Sequence, residues 1–422
     1  MSMQKQREGI KTRLTETDPE VANIIKAEEE RQQTTLTMIP SENHVSPAVR
    51  EASASILINK YSEGYPTKRY YQGQAHADEI ETLAIDRAKQ LFGAEHVNVQ
   101  PNSGSPANQA VFLAVLEKGD TFMGLNLTHG GHLTHGSPVN FSGRYFTPVH
   151  YAVDEKTERI DLDQVRELAR RHKPKLIISG FTAYPRTFDF AGFQSIADEV
   201  GALHLADISH IAGLVVAGVH ASPFPAAQFV TTTTHKTLRG PRGAIIMSHE
   251  KYAKAINKAV FPGLQGGPHE HTIAAKAVAF GEALQPSFKE YAAQIVANAK
   301  ALAETLMAEG IKLVTDGTDT HLLLIDLRPL GIGLGRPMAA SLEQGGIVTN
   351  CNTVPFDPSS PFKPSGVRLG TPTLTTRGMK ETEMRSIGTW IAEIIHDPNN
   401  EGLQQKIRGQ VLELCKQFPL DI

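Results

Sequence analysis

The feature that most restricts the fold of this chain is the alternation of helical and strand patterns that begins near residue 75. Segments with the period of an amphipathic helix, such as "ADEIETLAIDRAKQLFG", take turns with short apolar runs such as "TFMGLN", "KLIIS" and "ALHLADI". Patterns that alternate in this way build βα units around a mostly parallel sheet. Continuous apolar strands such as "KLIIS" suit a sheet that helices cover on both faces. We therefore predict an α/β fold.

Segments of different character precede and follow this alternation. The stretch "DPEVANIIKAEEERQQ" has Asp18 as a possible helix cap and Pro19 for the first turn, which predicts a helix in an N-terminal arm. After Pro286 a long helical pattern leads to the strand "HLLLIDLRP" and the helix "MAASLEQGG", typical of a smaller α+β domain. We predict an arm over residues 1–45, a large domain over 46–285 and a small domain over 286–422.

Composition narrows the classes of partner and the compartment. A formal net charge of −3, with Lys and Arg spread along the 422 residues, argues against a nucleic-acid or membrane surface and favours a small-molecule substrate. Two cysteines, Cys351 and Cys415, cannot form a disulfide framework. The polar start has no signal-peptide pattern, and no apolar run is long enough to span a membrane. These observations predict a cytoplasmic protein.

Three chemically distinct groups follow predicted strands. Lys236 comes after the β-branched run "TTTTH", and Asp207 ends the apolar run of "ALHLADI". The small residues Ser103, Gly104 and Ser105 follow the strand "HVNVQP" and open a helix, where backbone N–H groups can hold an anion. Ligands bind at the ends of strands in such sheets. An amine, a carboxylate and a phosphate cradle together predict pyridoxal 5'-phosphate as cofactor. Taken singly, each group also has an ordinary structural explanation: Lys236 as an exposed lysine, Asp207 as the cap of a turn, and the small residues as a helix cap.

Two other motifs suggest different chemistry. The stretch "THGGHLTHGS" spaces His129, His132 and His135 three residues apart, which would suit a metallohydrolase. It has few helix formers and no carboxylate ligand nearby in sequence, and His132 could instead lie flat on a cofactor ring. The run "GIGLGR" has Arg336 where a dinucleotide-binding loop needs its third glycine, so we predict neither a metal nor NAD.

Several longer stretches resemble one family over nearly the whole chain, from about residue 20 to its end. They are "MIPSENHVS", "NKYSEGYPTKRYY", "LTHGGHLTHGSPVNFSG", "ADISHIAGLVVAG", "TTTTHKTLRGPRG", "FPGLQGGP", "GTDTHLLLIDL" and "SGVRLGTP". All closely resemble serine hydroxymethyltransferase. The resemblance implies the aspartate-aminotransferase-like fold (type I of the pyridoxal phosphate enzymes), with a seven-stranded, mostly parallel sheet in the large domain. It also implies reversible hydroxymethyl transfer from L-serine to tetrahydrofolate, giving glycine and 5,10-methylenetetrahydrofolate through an aldimine and a quinonoid.

The resemblance assigns roles residue by residue. Lys236 would form the aldimine with the cofactor, Asp207 would pair with its ring nitrogen, and Arg242 would support the cofactor side. Cofactor contacts would come from Ser103, Gly104, Ser105, His132, Thr182, Asp207, His210, His235, Lys236, Tyr61 and Gly267. Catalytic groups would be Lys236, Glu63, Tyr71, His132 and Thr234. Serine would be bound by Ser41, Tyr61, Glu63, Tyr71 and Arg368, and the folate by Glu63, Tyr70, Leu127, Gly131, Leu133 and Asn352.

The resemblance also implies shared active sites in a homodimer, with a tetramer left open. Tyr61, Glu63 and Gly267 would belong to the neighbouring chain's site.

Some positions depart from the family's usual sequence. Thr67 and Gln72 replace glycines of "YPGKRYYGG", which implies a changed loop or a narrower pocket. Thr182, Ser209 and Ala244 replace a serine, an alanine and a glycine. These departures leave open an α-methylserine hydroxymethyltransferase or a folate-independent β-hydroxy amino acid aldolase. A non-catalytic pyridoxal phosphate carrier is the alternative from a different class.

Overall fold

The computed structural model describes residues 13–420, so residues 1–12 of the predicted arm lie outside the described part of the chain. The helices in this part are α1 (Leu14–Thr17), α2 (Pro19–Thr34), α3 (Pro47–Ser53), α4 (Ala75–Phe92), α5 (Gly104–Val115), α6 (Phe141–Tyr145), α7 (Leu162–His172), α8 (Phe190–Val200), α9 (Ala212–Val216), α10 (Ala253–Lys258), α11 (Glu270–Ala283), α12 (Pro286–Ala308), α13 (Gly335–Gln344), α14 (Pro372–Thr376), α15 (Glu381–His396) and α16 (Glu401–Gln417).

The strands are mostly short. They are β1 (Leu36–Thr37), β2 (Gly64–Tyr65), β3 (Lys68–Arg69), β4 (His96–Asn98), β5 (Thr121–Leu125), β6 (Thr147–Tyr151), β7 (Leu176–Gly180), β8 (Leu203–Asp207), β9 (Phe229–Thr233), β10 (Ala244–Ser248), β11 (Leu322–Asp326), β12 (Ile347–Val348), β13 (Asn350–Asn352) and β14 (Gly366–Gly370).

A seven-stranded sheet forms the centre of the large domain. Its strand order is β4-β10-β9-β8-β7-β5-β6, and β10 pairs antiparallel with both of its neighbours whereas the other pairings are parallel. The predicted α/β fold with a mostly parallel seven-stranded sheet is therefore confirmed. Parallel strands need a crossover between them, and helices such as α7 and α8 supply it.

Apolar side chains cover both faces of this sheet. Ile177 packs into one buried cluster, and the next residue, Ile178, packs into another. Met123 and Phe122 divide between the same two clusters. Successive side chains of a strand point to opposite faces, so the unbroken apolar runs in the sequence reflect burial on both sides.

The C-terminal part of the chain builds a second core. Strands β11, β14 and β13 form an antiparallel sheet, and helices α13, α15 and α16 pack against it or against one another. Helix α12 joins the two cores, because Phe288 near its start packs in the large cluster and Leu306 near its end packs in the small one. The predicted boundary at residue 286 coincides with the start of this shared helix, and the domain limits remain a proposal.

The predicted arm helix is present as α2. Asp18 caps it by accepting a hydrogen bond from the backbone N–H of Val21 at 3.1 Å, and Pro19 occupies the first turn. Its apolar side chains Ile24 and Ile25 are 69% and 46% exposed, so the described chain covers them only in part. None of the helices between residues 13 and 420 is long and apolar enough to cross a membrane.

Candidate active site

The ends of β4, β8 and β9 bring the three predicted groups to one edge of the sheet. Asp207 is the last residue of β8, Lys236 follows β9, and Ser103 immediately precedes α5. Gly104 packs so closely against this edge that a Cβ on it would lie 2.9 Å from the Thr233 side chain. A residue larger than glycine would push the helix away from the strands, so the close approach depends on Gly104.

A cavity of about 310 Å³ lies beside Lys236. Every residue that lines it was predicted as a site residue, although most are far apart in sequence. They are Ser41, Leu127, Gly131, His132, Leu133, Thr182, His210, Lys236, Asn352 and Arg368. The cavity therefore combines predicted cofactor, serine and folate residues in one space.

The amine of Lys236 is buried and has an altered acidity. Burial lowers the pKa of Lys236 to about 7, the Asp207 carboxylate opposes this change, and Arg368 and Arg242 reinforce it. A lysine with this pKa is largely unprotonated just above neutral pH. Lys236 can therefore act as a nucleophile towards an aldehyde, as a lysine in a desolvated pocket does.

The Asp207 carboxylate accepts four hydrogen bonds. Asn108 Nδ2 and His135 Nε2 donate to Oδ2 at 2.8 and 3.2 Å, while the hydroxyl and the backbone N–H of Ser209 donate to Oδ1 at 2.6 and 3.1 Å. Burial alone would raise the pKa of Asp207, but the hydrogen bond and charge of His135, with the smaller contributions of His132 and Ser209, outweigh it and lower the pKa. Asp207 is thus held ionised, as a partner for a protonated ring nitrogen must be.

The backbone fixes the tautomer of His135. The N–H of His132 donates to His135 Nδ1 at 3.2 Å, so in the neutral ring the proton lies on Nε2 and points at Asp207. Side-chain atoms of His132, His135 and Asp207 lie within 4.8 Å of one another and could in principle hold a metal ion. A metal would have to bind His135 at the nitrogen that carries the proton. The hydrogen bonds therefore speak against the metallohydrolase interpretation.

The phosphate side of the site also has suitable donors. Ser103 precedes α5 without using its hydroxyl to cap the helix, which leaves that hydroxyl and the helix N-terminus for an anion. Arg242 donates to His235 Nε2 at 2.7 Å, so the proton of the neutral ring is on Nδ1. That nitrogen is buried and has no hydrogen-bond partner among the described residues. An unsatisfied buried donor calls for an acceptor, and a phosphate oxygen would supply it.

Arg368 lacks a charged partner. Its guanidinium donates to the backbone carbonyl of Thr182 at 2.5 Å and to Asn350 Oδ1 at 3.2 Å, and it forms no ion pair within residues 13–420. Burial lowers the pKa of Arg368 to about 10. A buried guanidinium with unpaired nitrogens is suited to a bidentate contact with a carboxylate.

Tyr61, Glu63 and Tyr71 form a separate group outside the 310 Å³ cavity. The hydroxyls of Tyr61 and Tyr71 donate to Glu63 at 3.4 and 3.1 Å, and the Tyr71 contact raises the pKa of Tyr71. Gly267 packs against the ring of Tyr61, with only 3.1 Å between that ring and a Cβ placed on the glycine. The single chain does not bring these groups to Lys236.

The other predicted residues have varied surroundings. Thr234 is fully buried and donates to the Pro241 carbonyl at 2.6 Å, which fixes the loop after Lys236. His210 contacts His321 through ring nitrogens 3.2 Å apart, and burial lowers the pKa of His210 well below its ordinary value. Tyr70 is 71% exposed beside Phe261. Ser105 lies exposed in the first turn of α5.

Two of the departures from the family pattern differ in their backbones. Thr67 has φ 66°, the left-handed conformation that glycine would adopt, whereas Gln72 is not among the residues with positive φ. The loop therefore keeps a glycine-type turn at residue 67 despite the larger side chain.

Thr182 is a further departure from the family pattern. Its hydroxyl donates a hydrogen bond to the backbone carbonyl of Gly131 at 3.0 Å.

Sequence reasoning missed three residues that hold Asp207. Asn108 and Ser209 were not given a role there, and His135 was considered only as a metal ligand. The spacing of His132 and His135 on one 3₁₀ turn, Leu133–His135 with its cap, was the available signal for His135. Nothing local marks Asn108, because its partner lies 99 positions away.

The amine, the ionised carboxylate and the phosphate donors fit pyridoxal 5'-phosphate. Lys236 would hold its aldehyde carbon, Asp207 its ring nitrogen, and Ser103, Gly104 and His235 its phosphate. Together with the sheet, they define a pyridoxal phosphate enzyme of the type I fold.

Comparison with known proteins is more specific. The family model described as serine hydroxymethyltransferase matches residues 14–391. Curated proteins named serine hydroxymethyltransferase include relatives from Acidothermus cellulolyticus, 58% identical with 96% of each chain covered, and Sorangium cellulosum, 57% identical with 99% of each covered. Another, from Synechococcus sp., is 58% identical with 96% of each covered. The chain belongs to the serine hydroxymethyltransferase family.

Proposed function

We propose that the protein catalyses the reversible transfer of the hydroxymethyl group of L-serine to tetrahydrofolate, which gives glycine and 5,10-methylenetetrahydrofolate. The observation that carries the proposal is the cavity in which Lys236, Arg368 and Asn352 meet, in a chain of this family. When bound, pyridoxal phosphate supplies an electron sink for the pair released as the Cα–Cβ bond of serine breaks.

In this proposal Arg368 binds the serine carboxylate, helped by Ser41, which lines the same cavity. The hydrogen bond from Arg368 to the Thr182 carbonyl fixes the guanidinium, so the substrate is oriented before any bond breaks. His132, which lines the cavity, would lie against the cofactor ring. Burial lowers the pKa of His132 to about 4, so the ring stays neutral and adds no positive charge there.

Glu63 serves as the acid–base group and exchanges a proton with the oxygen or nitrogen of the reacting groups. The hydroxyls of Tyr61 and Tyr71 orient its two carboxylate oxygens. The pterin ring of the folate would be received by Leu127, Gly131, Leu133 and Asn352, which all line the cavity.

We further propose a homodimer in which Tyr61, Glu63, Tyr71 and Gly267 complete the partner's site. Their separation from the Lys236 cavity within one chain supports this arrangement. Apolar side chains that lack cover support it too, because Ile24, Ile56 and Ile58 are 69%, 80% and 60% exposed. A cytoplasmic location is also part of the proposal, and the two thiols, which form no disulfide, support it.

Serine turnover with and without tetrahydrofolate tests the proposed reaction. We expect glycine formation from serine that depends on the folate. Serine turnover at the same rate with and without tetrahydrofolate would overturn the proposal in favour of a folate-independent aldolase. Faster turnover of α-methylserine than of serine would mean that α-methylserine is the substrate. Borohydride treatment followed by peptide mapping tests the cofactor separately, with the pyridoxyl group expected on Lys236.

A further inference from the structure

The four hydrogen bonds to Asp207 occupy the acceptor sites of its carboxylate. Asn108 and His135 donate to Oδ2, and the hydroxyl and N–H of Ser209 donate to Oδ1. A carboxylate has about four lone-pair sites for donors. If the ring nitrogen of the cofactor is to donate a proton to Asp207, one of the present donors must therefore move or share its site.

Three of the four donors are fixed by their own surroundings. The Asn108 amide also donates to Thr134 Oγ1 at 2.8 Å and accepts from Thr231 Oγ1 at 2.6 Å. The His135 ring is held by the backbone N–H of His132. The third donor is the main-chain N–H of Ser209, which cannot turn without moving the backbone. None of these can leave Asp207 at low cost.

The Ser209 hydroxyl is different because its proton can rotate about the Cβ–Oγ bond. Its oxygen accepts a hydrogen bond from the Thr233 N–H at 3.1 Å, and it can keep this contact while the proton turns away from Asp207. The residue is 7% exposed and faces Gly104, whose Cβ would lie 3.9 Å from Oγ. Ser209 therefore lies between the proposed phosphate cradle and the proposed ring-nitrogen partner.

We propose that Ser209 is a positioning residue whose hydroxyl satisfies Asp207 when the cofactor is absent and yields that place to the protonated ring nitrogen when the cofactor binds. The inference rests on the proposed function, since it requires Asp207 to pair with pyridoxal phosphate.

Competition for one lone-pair site has a definite thermodynamic direction. The hydroxyl stabilises the cofactor-free state, and binding must replace that contact, so the net affinity for the cofactor is reduced. In Ser209→Ala the competing donor is gone, whereas the Thr233 N–H loses its acceptor in the cofactor-free and the cofactor-bound state alike. Loss of the competing donor favours the cofactor-bound state, so the variant should hold pyridoxal phosphate more tightly than the wild type.

The experiment measures release of pyridoxal phosphate from the holoenzyme into a carbonyl-trapping reagent, followed by absorbance. Wild type is compared with Ser209→Ala and with Ser209→Cys, whose thiol is a weak donor. The matched control is Ser179→Ala, because Ser179 is a buried serine on neighbouring strand β7 whose hydroxyl contacts His204 instead. Unfolding temperatures of holo and cofactor-free forms give a second readout.

We expect release from Ser209→Ala to be on the order of tenfold slower than from wild type. Ser209→Cys should lie between them, and Ser179→Ala should release the cofactor at the wild-type rate. The gap in unfolding temperature between holo and cofactor-free forms should widen in Ser209→Ala alone. A purely structural role would instead lower both temperatures equally.

Wild-type protein that binds pyridoxal phosphate, with Ser209→Ala releasing it as fast as wild type or faster, would overturn the inference alone. If Ser209→Ala does not fold, Ser209→Cys decides the matter by the same comparison of rates. Wild-type protein that takes up no pyridoxal phosphate would overturn the proposed function as well.

Discussion

Arg368 on β14 of the small domain donates a hydrogen bond to the main-chain carbonyl of Thr182 on the large domain, at 2.5 Å and across 186 positions of sequence. The contact joins the two parts of the chain at the wall of the cavity. It also leaves the guanidinium without a carboxylate among the described residues. The substrate carboxylate is therefore the charge that would balance it.

Replacing Arg368 by Lys should raise the KM for serine on the order of 10²-fold, because lysine cannot hold Thr182 and a carboxylate together in planar geometry. Initial rates over a range of serine concentrations check this. The control is Arg328→Lys, whose guanidinium pairs with Asp326 at 2.9 Å outside the cavity and should leave KM unchanged. An unaltered KM in Arg368→Lys would remove Arg368 from substrate binding.

Below some acidic pH the protein should lose its bound pyridoxal phosphate. His135→Phe should raise this pH limit by about one unit. The folded pKa of Asp207 is depressed, so the carboxylate stays ionised as pH falls towards that low value. Loss of the His135 donor raises this pKa, and Asp207 is then protonated at a higher pH and releases the ring nitrogen. Bound pyridoxal phosphate measured against pH gives the limit.

His129→Phe is the control for that experiment. His129 accepts a weak contact from the Val153 N–H at 3.4 Å and does not touch Asp207. Its retention profile should match the wild type, whereas an equal shift in both variants would show that the effect comes from general loosening of the histidine-rich loop.

The sequence predicted the chemistry at the ends of the strands better than the contacts beneath them. Asp207 and Lys236 were found because β-branched and apolar runs mark strands, and parallel strands end at one edge of the sheet. The direction of β10 and the helix α11 were not predicted. Short apolar runs carry no sign of strand direction, and α11 is buried along much of its length, so it lacks a clear polar face.

Long-range hydrogen bonds lay beyond sequence reasoning. Asn108 looks like any polar residue in a helix until the fold brings Asp207 and Thr231 to it. The predicted loop change at Thr67 and Gln72 was argued from a preference of glycine, and only Thr67 needs that preference. The pattern of a single sequence shows which residue types lie at the edge of the sheet. It does not show their hydrogen-bond partners, because these depend on how the helices and strands pack together.

Thr67→Gly should stabilise the protein by about 0.5–1 kcal/mol. A left-handed residue with a side chain costs about 1–2 kcal/mol, and the extra chain entropy of glycine offsets part of the gain. Gln72→Gly should instead destabilise by up to about 1 kcal/mol, since φ is not positive there. Thermal unfolding of both variants checks the opposite signs, and two changes of the same sign would contradict the explanation.

Lys276→Met should destabilise the protein, and the deficit should grow as pH rises. The buried Lys276 Nζ donates to the carbonyls of Val99, Pro101 and Ala244 at 2.6, 3.1 and 2.9 Å, and these lose their donor in the variant, at a cost of about 2 kcal/mol. Burial lowers the pKa of Lys276 to about 7.

The sign of the pH effect follows from proton counting. Above about pH 7 the unfolded wild-type chain holds a proton on Lys276 that the folded chain has lost, so wild-type stability rises with pH until the unfolded lysine also titrates. Lys276→Met lacks this rise. Denaturant unfolding at pH 7 and at about pH 9 should therefore show a wider gap in the free energy of unfolding between wild type and variant at the higher pH.

The control is Lys300→Met, at an exposed position on α12. Its gap to the wild type should be near zero at both pH values, because its side chain contributes little to the core. A gap that stays the same between pH 7 and about pH 9 would mean that Lys276 stays charged inside the folded protein.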